Sequence, residues 1–280
     1  MITAKLLKKS IGHKGGPVIS SVAWTGPRSI LAQLNTHRVF SRNARSSRAV
    51  PTVKLLEEVK TNPVIPMFTG ENRPGMVAGQ PLDTQTRAEL EASWLRIRDL
   101  TVAEVEKALK LKPHKQDINR ALEPFMWCHG IITSTDWENF YDLRGHEDAQ
   151  PEILVLAQEI KTAIENGETE VLQRGEWHLP YISQEDYERA EGNTHLLRKI
   201  SAARCARISY EPFDGDASWE REIIRSTKLK MEGHWSPFEH QATPDGIVAG
   251  VYLHPELHGN FYGWIQNRKL LSLSQVSIPA

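Results

Sequence analysis

His37-Arg38-Val39-Phe40-Ser41-Arg42-Asn43-Ala44-Arg45-Ser46-Ser47-Arg48 packs four arginines, a histidine, an asparagine and three serines into twelve residues, with no acid among them. Such a segment is built to hold anions. Guanidinium forks match phosphate oxygens in pairs, hydroxyls and amides complete the cradle, and each charge-assisted bond contributes roughly 1.5–3 kcal/mol. The spacing of the arginines also fits a solvated stripe along one face of a helix, the usual fate of a charge run.

The surrounding sequence sharpens the choice. No Asp or Glu occurs before Glu57, so residues 1–56 carry ten Lys and Arg, while the remainder carries a net charge of minus eleven. A basic pole of this kind serves phosphate-bearing small ligands, nucleic acid or an anionic membrane, and charge alone does not choose among them. With 40% hydrophobic and 25% charged residues, the 280-residue chain has an ordinary globular composition and enough length for a sizeable core. No window approaches the eighteen or so uninterrupted apolar residues of a membrane helix, and the first residues lack the apolar centre of a secretory signal. The expectation is a cytoplasmic protein folded as a single domain over residues 1–280.

Cys128 and Cys205 are far apart and form no Cys-x-x-Cys, which fits a reducing compartment and argues against a disulfide scaffold or structural zinc. The adjacent Cys128-His129 pair has the composition of a nucleophile with its base, but a cysteine beside Phe125, Met126 and Trp127 reads better as a small buried apolar residue. His234, Glu239 and His240 do not form a metal set. Six residues separate the two imidazoles, and Pro237 forbids a regular helix between them. The expected metal complement is none.

Local patterning predicts a mixed fold. Pro151–Asn166 reads as an amphipathic helix, with Ile153, Leu156, Ala157, Ile160 and Ile164 on one stripe, proline in the first turn and Gly167 past the end. Helices are also expected over 86–98, over 101–112 from the capping box Thr101-Val102-Ala103-Glu104, and over 219–232 up to Gly233. Strands are expected over 18–24 and 247–253. Residues 61–83, with four prolines and three glycines, form an irregular loop expected to border the functional site.

The arginine segment resembles the signature of the flavin-dependent thymidylate synthases, Arg-His-Arg-x-x-Ser-x-Asn-Glu-x-Ser-x-Arg-Tyr with a glutamine just upstream. Gln33, His37, Arg38, Ser41, Asn43, Ser46 and Arg48 match it; Thr36, Ala44 and Ala49 depart, standing where the family has arginine, glutamate and tyrosine. Other blocks are similar too. Gly233-His234-Trp235-Ser236-Pro237-Phe238-Glu239-His240 looks like the family's Gly-His-x-Ser-Pro-Phe-Glu-His, and Ala203-Arg204-Cys205 like the Ala-Arg-x-Cys preceding it. Leu143-Arg144, four residues, then Ala149-Gln150-Pro151-Glu152-Ile153 looks like Leu-Arg-x4-Ala-Gln-x-Glu-Ile, and Arg120 to Pro124 faintly resembles its Ala-Arg-x-x-Leu-Pro turn. The family places the Gly-His block first, whereas here it comes last, so the chain reads as circularly permuted. Permutation is cheap where the parent's termini lie close together at the surface.

The resemblance implies an α+β fold with a β-sheet packed by helices, and an enzyme that methylates dUMP to dTMP. Methylenetetrahydrofolate would be carbon donor, NADPH reductant and FAD hydride carrier, with the chain assembled as a homotetramer whose sites draw on several subunits. All these ligands are anionic, which explains an acid-free arginine cluster. Carried over by position, His37, Arg38, Ser41, Asn43, Gln150, Glu152, His234, Ser236 and Glu239 fall to the flavin site. Gln33, Ser46, Arg48 and Arg144 fall to the nucleotide, with Arg48 on its phosphate. The plain reading of Glu152 is a favourable charge in the first turn of its helix.

One departure touches the substrate. The family has an arginine about three turns along the helix after its Ala-Gln block, where it polarises the pyrimidine carbonyl; here that helix offers Lys161 and then Thr162. Either Lys161 substitutes, or Arg268 in Gly263-Trp264-Ile265-Gln266-Asn267-Arg268-Lys269 does, or the base is another deoxypyrimidine, such as that of dCMP, methylated or hydroxymethylated. The reading of another class is a nucleic-acid-binding protein gripping a phosphate backbone with its basic pole. A nucleotide-sized ligand explains the segment better, so nucleic acid and membrane are not the expected partners.

Overall fold

The computed structural model describes residues 1–208 and 217–276. The strands, in chain order, are β1 (Thr3–Ile11), β2 (Val18–Pro27), β3 (Ser41–Ala44), β4 (Trp127–Ser134), β5 (Glu170–Val171), β6 (Ala242–Pro244), β7 (Ile247–Val248), β8 (Val251–Tyr252) and β9 (Trp264–Gln266). The helices are α1 (Leu31–Leu34), α2 (Thr52–Thr61), α3 (Thr84–Leu109), α4 (Lys115–Ile118), α5 (Glu138–Arg144), α6 (Pro151–Glu165), α7 (Gln184–Ala190), α8 (Thr194–Ala206), α9 (Trp219–Met231) and α10 (Asn267–Val276). The architecture is α+β, a sheet packed with helices.

The main sheet has the order β3-β4-β2-β1-β5, antiparallel except for the short parallel β1–β5 pairing. Its central strands separate two chemistries by the two-residue period of a strand. One face presents Val22, Trp24, Cys128 and Ile132 to α6, whose Ile153, Leu156, Ala157 and Ile160 complete the largest core. On the other face the registers place Ser21, Thr133 and Ser41 in one row, with Ser10 opposite Ile19 and Asn43 opposite Ile131 beside it. Gly130 lies opposite Trp24, and a Cβ there would meet the indole at 2.5 Å, so the residue must be glycine for the ring to lie flat across the strand.

Four local readings differ from the sequence expectations. Ser41–Ala44 is a strand, so the arginines do not share a helical stripe. The helices expected over 86–98 and 101–112 are one helix, α3, capped by Asp83, which accepts the Thr86 amide at 2.8 Å. Thr101 is interior to it and bonds back to the Ile97 carbonyl, a local option open to any mid-helix threonine. Residues 247–253 hold two exposed two-residue strands, β7 and β8, paired as a hairpin, in place of one long strand. Strands β1 and β4 were not anticipated. Residues 62–83 carry no helix or strand beyond an isolated bridge between Gly70 and Pro81.

The block that follows α9 returns to the main sheet from outside it. Gly233, at φ +75°, ends α9, and a 3-10 turn over Ser236–Glu239 then packs against β3. Beyond it, β6 pairs with β9, and Gln266 of β9 donates to Ser41 Oγ at 3.3 Å and to the Glu239 carbonyl at 3.1 Å. The segment over 233–240 and the strand over 41–44 are thereby held together. Among the described residues no helix is long and apolar enough to cross a membrane.

Candidate functional site

Two adjoining groups of polar residues form the candidate site. The first lies at a cleft of about 1040 Å³ between the end of α5, the start of α6 and the 69–79 part of the loop. Arg144, at the last turn of α5, donates from Nε to His37 Nε2 at 3.1 Å, from one terminal nitrogen to Gln33 Oε1 at 3.3 Å and from the other to Thr36 Oγ1 at 3.2 Å. Gln33 in turn donates to Gln150 Oε1. Gln150 donates to Glu152 at 2.9 Å, and the other Glu152 oxygen accepts the Met67 amide at 2.8 Å. Glu152 is 6% exposed with both oxygens spent, so its work in this chain is to fix the loop along the cleft.

His37 is buried, edge-on to Phe140 at 5.1 Å. Burial, then the nearby Arg144 and Arg42, lower its pKa, so the ring is neutral and Nε2 is free to accept from Arg144. Arg42 points to the face opposite Asn43 and donates to the carbonyls of Leu34 at 3.1 Å and His37 at 3.0 Å. It therefore holds the turn that carries His37. Burial lowers the Arg42 pKa against the opposing pull of Glu239, which lies near enough to act on it. Arg42 thus links the cleft to the second group.

That second group joins the arginine segment to the Gly-His segment. The Asn43 amide lies 3.0 Å from His240 Nε2 and 3.2 Å from Ser236 Oγ. Turned with its nitrogen toward His240, it donates to that ring and to the Arg42 and Ser236 carbonyls, and accepts from the Ser236 hydroxyl. His240 Nδ1 is 2.9 Å from Thr133 Oγ1, which is 2.6 Å from Ser21 Oγ; Ser21 Oγ is 2.8 Å from His178 Nε2, and His178 Nδ1 is 2.9 Å from Ser10 Oγ. Ser10, Ser21, Thr133, His178 and His240 are all fully buried. Burial brings His240 down to about 3 and His178 well below its ordinary value, so both rings are neutral. With Asn43 donating to Nε2, each ring carries its proton on Nδ1, and the donors run in one direction from Asn43 to Ser10. The Arg42 and Ser236 carbonyls and the Ser236 hydroxyl set which way the Asn43 amide faces, and the direction of the relay follows from it.

The structure distributes the remaining sequence-predicted residues unevenly. Glu239 pairs with Arg268, and His234, largely exposed, lies 3.6 Å from Glu232. Arg38 is exposed and has no carboxylate partner among the described residues. Ser41 is fully buried with its hydroxyl accepting from Gln266, which leaves it no surface for a ligand in this chain. Ser46 and Arg48 are exposed at the far end of β3, where the Ser46 hydroxyl accepts the Arg48 amide; neither lines the cleft. Lys161 faces solvent, 3.9 Å from Glu165 and over the Tyr141 ring, away from the cleft. The reason is helical phase: the α6 positions facing the sheet are Ile153, Leu156, Ala157 and Ile160, and Lys161 follows the last of them on the outside.

Arg45 turns away altogether. It is 4% exposed and bonds both Glu58 oxygens, at 2.7 and 2.8 Å, while its carbonyl lies 3.8 Å from Cys128 Sγ. Cys128 is buried, and burial raises its thiol pKa, which disfavours the thiolate a nucleophile requires. Its neighbour His129 bonds to Thr25 at 2.9 Å. Arg42, Thr133, His240 and Gln266 take part in the site without having been singled out as ligand-binding. Arg42, His240 and Gln266 stand inside segments already notable in the sequence, and the signal for Thr133 is that β2 and β4 place hydroxyls at Ser20, Ser21, Thr133 and Ser134 inside otherwise apolar strands.

A sheet with an α6-packed apolar face and a second face roofed by the Gly-His segment stands beside a cleft lined by Arg144, Gln33 and Gln150 together with the acids Asp142, Glu147 and Asp148. The family model of the thymidylate synthase complementing protein matches residues 19–166, just over half of the chain, and the chain belongs to that family. It is therefore a thymidylate-synthase-type enzyme, of the methyltransferase class in nucleotide biosynthesis. The match spans the arginine segment and the Ala-Gln helix, and Gly233–His240 lies after it. Among solved structures, the UMP/dUMP methylase PolB from Streptomyces cacaoi is similar in its forms bound with 5-Br UMP and with 5-Br dUMP. Identity is 17% in both, over 58% of this chain and 88% and 89% of theirs, with TM-scores of 0.46 and 0.47. No curated protein matches the chain.

Proposed function

We propose that this enzyme transfers a one-carbon unit from methylenetetrahydrofolate to C5 of a deoxypyrimidine monophosphate, dUMP first, with FAD as hydride carrier and NADPH as reductant. The observation that carries the proposal is the hydrogen bonding of Asn43 to both Ser236 and His240, which brings the two flavin-associated segments to one place. The donor set fits a flavin dinucleotide. Arg38 offers a guanidinium with no carboxylate partner among the described residues, and Gln33 and Gln150 each keep one amide N–H for a polar heterocycle. FAD, when bound, supplies the hydride-carrying chemistry.

The chain's own groups have distinct tasks. Arg144 holds Gln33 and a neutral His37 in fixed orientation, a positioning task in which each amide and ring is already paired before any ligand arrives. Arg42 stiffens the His37 turn, and the buried relay holds the His240 ring against the Asn43 amide. Arg48 grips the nucleotide phosphate with Ser46 beside it. Because both sit at the far end of β3, away from the Gln33 cleft, this assignment requires sites completed between subunits, and a homotetramer is the proposed assembly. The exposed position of Lys161 favours Arg268, beside Glu239, as the group that reads the base. Since this reader differs from the family's arginine, dCMP is the second substrate to offer.

The test is direct. The protein is loaded with FAD, supplied with methylenetetrahydrofolate and NADPH, and offered dUMP and dCMP together, with products read by mass spectrometry. A methyl or hydroxymethyl product from either nucleotide is expected. A protein that takes up no flavin and alters neither nucleotide refutes the proposal. Arg48→Ala should weaken nucleotide binding while leaving flavin bound, and unchanged nucleotide binding would remove Arg48 from its role.

A further inference from the structure

We propose that the cavity enclosed by α8, α9 and α10 is a second anion site that takes a phosphate group. The inference does not rest on the proposed reaction. The cavity, about 170 Å³, is lined by His195, Arg198 and Lys199 from α8, Ser226 and Lys230 from α9, and Asn267 at the start of α10. No carboxylate lines it. Among the described residues, Arg198, Lys199 and Lys230 also have no carboxylate partner elsewhere, although many of the other cations are paired. Three like charges facing one small space repel one another, and a bound anion reverses that cost.

The groups are set for a ligand and not merely crowded. The Arg198 guanidinium lies 4.4 Å over the Trp177 ring, donates to Asn267 Oδ1 at 3.4 Å and lies 3.3 Å from His195 Nδ1. Its planar fork is therefore oriented before anything binds, while its Nε is buried with no partner. Ser226, 1% exposed, adds a buried hydroxyl to the lining. Burial, Lys199, Arg198 and Lys230, in that order, lower the His195 pKa, which places all three cations within electrostatic reach of one ring. The volume corresponds to roughly six waters at about 30 Å³ each, room for a tetrahedral anion but not for a dinucleotide. Phe238, from the turn that carries Ser236 and Glu239, supplies an apolar wall, so this cavity lies behind the candidate site.

The probes are inorganic phosphate and AMP, titrated calorimetrically at low salt into the full chain and into Lys230→Ala, Lys199→Ala/Lys230→Ala and Arg48→Ala, each checked for an unchanged melting temperature. The wild type should bind one phosphate per chain at this site. Lys230→Ala should weaken it tenfold or more and the double variant should abolish it, since each lost charge-assisted bond is of that size. Arg48→Ala should bind at this site like the wild type, which separates the result from the nucleotide site. Tighter binding of AMP than of phosphate, lost in the double variant, would mean that the phosphate arrives on a nucleotide. Tighter phosphate would mean a free anion. Binding of both probes unchanged in the double variant, or of neither to the wild type, would overturn the proposal.

Discussion

His240 gives the sharpest test of the relay. In the unfolded chain a histidine takes up a proton near its ordinary value of 6.5, whereas in the folded chain burial holds His240 at about 3. Between those values the unfolded state binds one more proton than the folded state, so stability falls as pH is lowered through 6.5 and goes on falling until about 3. From pH 7.5 to pH 5.0 this one residue should remove about 2 kcal/mol, at up to ~1.4 kcal/mol per pH unit. That window lies above the carboxylate range, so acids contribute little to it. The measurement is urea unfolding at half-unit steps between pH 7.5 and 5.0, on the wild type and on His240→Gln. Glutamine keeps an amide between Thr133 and Asn43 but titrates no proton. The wild type should lose stability with the combined slope of the histidines whose pKa the fold lowers, His37, His129, His178 and His195 besides His240, and the variant's slope should be smaller by about one proton. Equal slopes would mean that His240 is not held neutral in the folded chain.

Three further outcomes test the frame around the site. Glu58→Ala strands the 4%-exposed Arg45 without its bidentate partner; with Glu58 itself 38% exposed, a loss of about 2 kcal/mol is expected by denaturant unfolding, and less than ~0.5 would mean the pair is ornamental. Leu156→Ala, at a fully buried α6 position against the sheet, should cost about 2–5 kcal/mol, and a smaller loss would show that the core closes around the gap. Gly233→Ala forces a Cβ into φ +75°, so about 1–2 kcal/mol should be lost in thermal unfolding; no loss would show that the turn before Ser236 can relax.

The elements legible in the sequence were those whose periodicity reports a single environment. Helix α6 has one wet and one dry face, and it was read almost to the residue; α9 likewise ends where Gly233 says it must. Strand β1 was hidden by its lysines. Lys9 Nζ donates to the Ile164 carbonyl at 2.8 Å and to the Gly167 carbonyl at 3.3 Å, satisfying the exposed end of α6, and Lys8 pairs with Glu170 of β5. These charges serve tertiary partners more than 150 residues away, which no local window contains. Strand β4 was hidden by Cys128-His129-Gly130, a run with poor strand propensity that is set by contacts to Arg45, Thr25 and Trp24.

The arginine segment shows why composition does not give the wiring of a segment. Read as a helix, Arg38, Arg42, Arg45 and Arg48 would form one basic stripe, all available to anions. As built, the strand over 41–44 turns Arg42 to the face opposite Asn43, where it holds the carbonyls of Leu34 and His37. Arg45, just beyond the strand, is buried against Glu58. Two of the four guanidiniums are therefore spent on shaping the segment, and Arg38 and Arg48, at its two ends, are left exposed without a carboxylate partner among the described residues. A strand of four residues spans only about 13 Å, yet it separates those two groups into different surroundings. One chain therefore presents the Arg38 end with its cleft and the Arg48 end apart from it. In the proposed homotetramer, an anion gripped by both kinds of end at once would take its Arg48 from a second copy of the chain.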